Sequence, residues 1–147
     1  YHWYRSRKGS ETMINYSDPN MFEKRKEHYE HILKLYEYWN INDTKSLSSI
    51  SSYYAGRLFQ CIQELVDNKE INYSEKRKKI KLILNDEETI ISLKRAKDLS
   101  GKFKMLTFPM KIKSVALCML FGRIISLVRK FCPSLFIKIK EKEVHGK

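Results

Sequence analysis

The residues best suited to chemistry lie near the start of the chain, where Arg5, Arg7 and Ser10 surround a short turn that contains Gly9. An arginine can hold a phosphate through two parallel hydrogen bonds. A serine hydroxyl and the N–H groups of a turn can add further donors. This set would suit the diphosphate of a leaving group. A basic surface loop after an edge strand explains the same residues, so both interpretations stay open.

An extended segment must carry these donors, because the aromatic residues among positions 1–4 favour a β-strand. Residues 8–10 then predict a turn. A single strand leaves its backbone N–H and C=O groups unpaired, and no other segment has a clear strand pattern. We therefore expect that the sheet to which this strand belongs precedes the chain in a larger protein.

The pattern Tyr-Arg-x-Arg-x-Gly-Ser at residues 4–10, followed by a polar loop and a long helix, resembles the stretch that closes the catalytic domain in many bacterial family 2 glycosyltransferases. The resemblance implies a GT-A fold for the parent enzyme, with a nucleotide-diphospho-sugar donor, Mg²⁺ or Mn²⁺, and a polysaccharide or lipid-linked acceptor. It also implies donor diphosphate contacts for Arg5, Arg7 and Ser10. His2 departs from the aromatic residue that usually stands just before the final tyrosine of the pattern, a role that Trp3 can fill.

The acidic residues that this family uses for catalysis have no counterpart here, since the sequence contains no Asp-x-Asp motif. The acidic stretch at residues 85–88 is explained by the start of a helix. Displacement at a sugar carbon requires a base and stabilisation of the leaving-group charge. We therefore predict no catalytic residue, metal ligand or cofactor in this chain and no sugar transfer by it alone. Its expected partner is an N-terminal catalytic domain.

The rest of the sequence predicts helices, because it contains only five glycines and three prolines and its apolar residues recur at helical spacing. In the second predicted helix, Tyr54, Leu58 and Ile62 belong to one such apolar stripe. The expected fold is mainly α, an irregular bundle of about five helices with one short N-terminal strand left from a missing α/β GT-A domain. Helix starts are predicted at Asp18 with Pro19, Thr44, Ser74, residues 85–88 and Pro109. Ser100 and Gly101 are expected to break the fourth helix, and residues 102–108 to form a basic, aromatic linker.

Three parts follow from this pattern: a remnant of the catalytic domain at 1–17, a helical bundle at 18–101, and a basic amphipathic tail at 102–147. The charge is concentrated in the last part. Residues 101–147 hold eleven Lys and Arg against two Asp and Glu, which gives +9 of the net +12. Such a tail should be attracted to an anionic partner.

The apolar residues at 115–128 suit a helix lying in a membrane interface, because basic residues flank and interrupt them. The uncharged run at 114–122 is far shorter than the ~20 residues that a spanning helix needs. The proposed interface cations are Lys111, Lys113, Arg123, Arg129 and Lys130. We expect peripheral attachment to an anionic membrane on the cytoplasmic, inner face of the cell membrane. Burial of 115–128 as ordinary core is the alternative.

A second basic cluster, Lys76–Lys81, has five cations in six positions. It allows an alternative function, a stand-alone basic helical module that binds nucleic acid or the membrane surface without catalysis. We favour a solvated helix face, and we do not expect a nucleic-acid partner. The sequence has no recognisable zinc finger or RNA-binding signature.

The histidines and cysteines give no recognisable metal or redox motif. His28 and His31 are three residues apart and predict exposed positions on the first helix. Cys61, Cys118 and Cys132 each lie among apolar residues, which predicts buried, reduced thiols.

Overall fold

The computed structural model describes residues 20–97 and 101–131, which form six helices. In chain order these are α1 (Met21–Tyr38), α2 (Thr44–Asp67), α3 (Tyr73–Asn85), α4 (Glu87–Arg95), α5 (Gly101–Lys111) and α6 (Val115–Phe131). The prediction of a mainly α fold is confirmed, and no strand occurs within these two ranges. The strand predicted within residues 1–17 lies outside the described residues.

Helix α2 is the centre of the bundle, because it contacts each of the other five helices. Tyr54, Leu58 and Ile62, which the apolar spacing assigned to its core-facing stripe, are fully buried. The small residues Ser51 and Ala55 are also buried on this helix and allow close approach of its neighbours. A helix that buries residues on more than one side belongs in the interior of a bundle.

The caps of two helices lie one or two residues before the predicted cap residues. Asp43 precedes α2, and its Oδ1 accepts a hydrogen bond of 2.8 Å from the backbone N–H of Ser46. Asn72 caps α3 in the same way at 2.9 Å. The assignments of Thr44 and Ser74 as caps are therefore wrong. Asp and Asn cap at least as well as Thr and Ser, so the neighbouring residue takes the position.

The predicted start of α4 is confirmed, since Asp86 Oδ2 accepts a hydrogen bond of 3.0 Å from the backbone N–H of Thr89. The same carboxylate forms a salt bridge with Lys26 on α1, which raises the pKa of that lysine chiefly through the hydrogen bond. One side chain thus caps α4 and attaches α1 to it. The predicted cap and first residue of α1, Asp18 and Pro19, lie outside the described residues.

The assignment of residues 102–108 as a linker is wrong, because they belong to α5. Pro109 does not open the last helix but lies in the final turn of α5. A proline there removes one backbone hydrogen bond, the one to the carbonyl of Met105. Its ring is fully buried, so packing outweighs that loss. The break expected at Ser100 and Gly101 also differs, since α4 ends at Arg95 and Gly101 is the first residue of α5.

The chain leaves α5 through a C-terminal cap in which Lys113 adopts a left-handed conformation, with φ of 54°. The N–H of Ser114 donates to the carbonyl of Pro109, and the N–H of Lys113 donates to that of Met110, both at 3.0 Å. This pair of bonds forms a Schellman motif. The left-handed residue of this motif, here Lys113, is usually a glycine. The motif reverses the chain so that α6 starts at Val115 and contacts α5.

A buried ion pair joins α1 to α2. Arg25 Nη2 donates to Glu64 Oε1 at 2.8 Å, and the residues are only 7% and 6% exposed. Arg25 Nη1 also donates to Cys61 Sγ at 2.8 Å and to the carbonyl of Arg57 at 2.9 Å. Nothing in the sequence predicted a buried arginine here, because Arg25 lies within a run of charged residues.

The prediction of buried, free thiols is confirmed for Cys61 and Cys118. Burial raises the pKa of Cys61 to about 11, despite the nearby Arg25 guanidinium, and that of Cys118 to about 12. Thiols react mainly as thiolates, so both groups should be unreactive near neutral pH. Cys132 lies outside the described residues.

Candidate membrane-interface site

Helix α6 exposes a stripe of large apolar side chains. Its members are 46–69% exposed, and they are Leu120, Ile124, Leu127 and Phe131. At 3.6 residues per turn these four positions fall within an arc of about 60°. They therefore form one continuous face, named here the α6 stripe.

The opposite face of α6 belongs to the core. Cys118 and Met119 are buried, and Gly122 lies against α2 so closely that an added Cβ would stand 3.1 Å from Val66 Cγ2. The alternative of ordinary core therefore holds for only one face of this helix. One side packs as ordinary core, and the other is an exposed apolar surface.

Two of the predicted interface cations border the α6 stripe. Arg123 and Lys130 are exposed, and their positions lie within about 60° of the edge of the stripe. Lys130 Nζ lies 5.5 Å from the centre of the Phe131 ring, so this cation lies beside the apolar surface. Arg129 also belongs to α6, but its side chain lies outside the described part of the structure.

Helix α5 carries a second group of exposed apolar side chains. This group was not predicted, because residues 102–108 were expected to form a linker. Met105, Phe108 and Ile112 are 49–58% exposed and fall within an arc of about 60° along α5 and the residue after it. They are named here the α5 stripe. Lys104 and Lys111 are exposed along its edge.

The remaining predicted cation, Lys113, is exposed in the turn between α5 and α6, with its Nζ 3.4 Å from Asn85 Oδ1. Of the five predicted interface residues, four are therefore exposed, and three of these, Lys111, Arg123 and Lys130, border an apolar stripe. Long basic side chains can reach headgroup phosphates while apolar neighbours enter the acyl boundary. In the described ranges, no helix has the length and hydropathy to cross a bilayer.

The predicted diphosphate site cannot be placed, since Arg5, Arg7 and Ser10 lie outside the described residues. His28 and His31 are exposed on α1, as predicted. Within residues 20–97 and 101–131, no three His, Cys, Asp or Glu side chains form a group that could hold a metal ion. These residues thus provide no fit for the Mg²⁺ or Mn²⁺ that the resemblance implies for the parent enzyme.

Comparison with known proteins identifies no relative: no family model, curated protein or solved structure matches this chain. The glycosyltransferase hypothesis therefore stays a prediction from the sequence pattern at residues 4–10. The function has to be inferred from that pattern and from the surfaces that the structure describes.

Proposed function

We propose that this helical unit attaches peripherally to an anionic membrane surface, and that it does so as the C-terminal region of a family 2 glycosyltransferase. The parent enzyme would transfer a sugar from a nucleotide-diphospho-sugar to a polysaccharide or lipid-linked acceptor. The unit would support the catalytic domain and hold it at the inner face of the cell membrane. The membrane part and the enzyme part have separate support and separate tests.

The membrane part is supported by the combination of the two apolar stripes with adjacent cations. A half-exposed leucine or isoleucine that becomes buried in the acyl boundary gains roughly 1 kcal/mol, about half of the value for complete burial. Each cation near an anionic leaflet adds about 1 kcal/mol. Three apolar side chains and two or three cations together would give reversible attachment that depends on anionic lipid. Nucleic acid would use the cations but leave the apolar stripes exposed to water.

A vesicle-binding measurement tests this part. The triple variant Leu120→Ser/Ile124→Ser/Leu127→Ser should bind vesicles of phosphatidylcholine and phosphatidylglycerol about 100-fold more weakly, from the loss of about 3 kcal/mol. The folded unit should persist, because these side chains are about half exposed in the helical unit. Far-UV circular dichroism and the midpoint of urea unfolding would verify that.

The matched control replaces three large exposed apolar residues elsewhere, in Tyr38→Ser/Trp39→Ser/Leu82→Ser. These side chains are more exposed than Leu120, Ile124 and Leu127, so nonspecific hydrophobic adsorption would weaken in both triple variants alike. Equal weakening would contradict the proposal. So would unchanged binding of the α6 variant.

The cations are tested in the same assay. Lys111→Gln/Arg123→Gln/Lys130→Gln should remove most of the preference for anionic over neutral vesicles. The control Lys45→Gln/Lys69→Gln/Lys94→Gln removes the same charge from exposed positions outside α5 and α6. If the two variants lose the same amount of binding, attraction to the vesicles depends only on net charge, and the cations beside the stripes have no specific role.

The enzyme part is supported by the pattern at residues 4–10, with Arg5, Arg7 and Ser10 as donor diphosphate contacts. Its test is the reading frame upstream of Tyr1. An Asp-x-Asp motif within alternating strand and helix patterns would support the parent enzyme, and its absence would contradict it. Sugar transfer by residues 1–147 alone with Mg²⁺ or Mn²⁺ would also contradict the proposal, because the family's catalytic acids are missing here.

A further inference from the structure

A basic groove of about 350 Å³ lies between the first turns of α3 and the start of α6. Its lining contains three cations, a hydroxyl, an aromatic ring and one aliphatic side chain, which are Arg77, Lys78, Lys81, Ser74, Tyr73 and Val115. No carboxylate lines it. The groove shares no residue with the α5 and α6 stripes, so it can be tested independently of the membrane proposal.

The cations of Lys76–Lys81 divide into two sets in the structure. Lys76 is directed inward, where its Nζ donates to the carbonyl of Val66 at 2.8 Å. Lys79 pairs with Glu75 one turn earlier, at 3.7 Å. The other three, Arg77, Lys78 and Lys81, line the groove. The helical repeat sets these three and Ser74 within an arc of about 100°, and Glu75 lies about 60° beyond the edge of that arc.

The start of α6 adds to the positive potential of the groove. Val115 is the first residue of this helix, whose N-terminal N–H groups carry a partial positive charge. Helix N-termini bind anions through these N–H groups. Three side-chain cations and the first residue of α6 thus line one concave surface that no acidic side chain lines. Of the N–H groups in the first turn of α6, that of Leu117 donates to Ser114 Oγ at 3.4 Å.

We propose that this groove binds a terminal phosphate group, as a phosphate monoester or a diphosphate. Arg77 can hold two phosphate oxygens through its planar guanidinium, which lies 5.8 Å from the Tyr73 ring centre. Lys78 and Lys81 supply point charges, and the Ser74 hydroxyl supplies a further donor. The phosphate belongs either to a lipid headgroup or to a soluble ester, because both present the same oxygens.

Titration calorimetry with inorganic pyrophosphate tests the site directly. The variant Arg77→Gln/Lys81→Gln should bind pyrophosphate at least tenfold more weakly, given the contribution of about two cations. The control Lys69→Gln/Lys79→Gln removes the same charge from outside the groove and should change affinity less than threefold. Both groove side chains are exposed, so the unfolding midpoint should stay unchanged. Equal losses in both variants, or no pyrophosphate binding by the unaltered chain, would overturn the proposal.

Vesicles distinguish the two sources of phosphate. Phosphatidylcholine vesicles that contain phosphatidic acid carry a phosphate monoester, whereas vesicles of equal charge that contain phosphatidylserine carry only a diester. A preference for phosphatidic acid that the groove variant loses would support the proposal and assign the phosphate to a lipid. Pyrophosphate binding in the groove without that preference would support a soluble ester. Groove-dependent binding of poly(dT) without pyrophosphate binding would assign the surface to nucleic acid and overturn the proposal.

Discussion

Replacing one partner of the Arg25–Glu64 pair should destabilise the bundle far more than replacing both. Arg25→Met leaves the Glu64 carboxylate buried without its cation, and Glu64→Leu leaves the guanidinium with only Cys61 and a backbone carbonyl. An unpaired buried charge costs about 3–5 kcal/mol. The total stability of a domain of this size is about 5–15 kcal/mol. Either single variant should therefore lose a large part of the free energy of unfolding.

The double variant Arg25→Met/Glu64→Leu should recover most of that loss. It places two apolar side chains of similar length at the α1–α2 contact and leaves no buried charge. Replacing a buried ion pair by apolar residues is often neutral or stabilising. We expect a free energy of unfolding within about 1–2 kcal/mol of the unaltered chain, which makes the coupling between the two sites about 3 kcal/mol or more.

The unaltered chain, the two single variants and the double variant form a double-mutant cycle. Urea unfolding followed by far-UV circular dichroism measures the free energy of unfolding of each of the four proteins. The control cycle uses Glu75 and Lys79, whose partly exposed pair at 3.7 Å should couple by only about 0.3–0.5 kcal/mol. The reasoning would be refuted if the double variant were as unstable as the worse single variant. A coupling no larger than that of the exposed pair would refute it as well.

Three further predictions concern single positions and cysteine reactivity. Gly122→Ala should destabilise the fold by about 1 kcal/mol in urea unfolding, because contact with the stiff Val66 side chain outweighs the gain in helix propensity. In a Val66→Ala background the same change should stabilise the fold. Stabilisation in both backgrounds would contradict the contact. Lys113→Gly should stabilise by about 0.5–1 kcal/mol, since glycine accepts positive φ without strain, and should also weaken binding to anionic vesicles; a loss of stability would argue against strain at this cap. Cys61 and Cys118 should resist alkylation at pH 8 in the native state, because burial raises their pKa to about 11 and about 12, and react in urea; rapid native labelling by mass spectrometry would contradict their burial.

The sequence predicted those helices whose starts and apolar spacing agree. Residues 85–88 were identified as the start of α4, where Asp86 is the cap, and the stripe through Tyr54 and Leu58 correctly indicated the buried side of α2. The caps of α2 and α3 were missed by one or two residues, since Asp43 and Asn72 stand beside other residues that can cap. Such neighbouring candidates differ little in capping strength, and only the folded backbone selects between them.

Helix α5 could not be predicted because its strongest local signal, Pro109, indicated the start of a following helix and therefore a linker before it. A proline usually lies in the first turn of a helix. Here Pro109 lies in the last turn of α5, because its ring is buried in the core. Local propensity cannot anticipate that tertiary contact. The same error concealed the α5 stripe, so only one of the two exposed apolar stripes was recognised from sequence.

Arg25 was missed for a related reason. Its charged neighbours, Lys24 and Lys26, indicate a solvated helix face, and the acidic partner at Glu64 is distant in sequence. Pairing of this kind depends on how α1 crosses α2, which a hydropathy pattern does not encode. Long-range polar contacts are therefore the part of this fold that sequence reasoning reaches least.

The contact of α2 with every other helix also affects how the molecule opens. Detachment of any other helix would expose part of α2 to solvent. Partial unfolding should therefore spread through the bundle and not stay confined to one helix. Backbone amides in the middle of α2 should then exchange with solvent only through global unfolding. A deletion that removes α6 would consequently damage the whole bundle, which makes point substitutions on its outer side the cleaner way to separate attachment from folding.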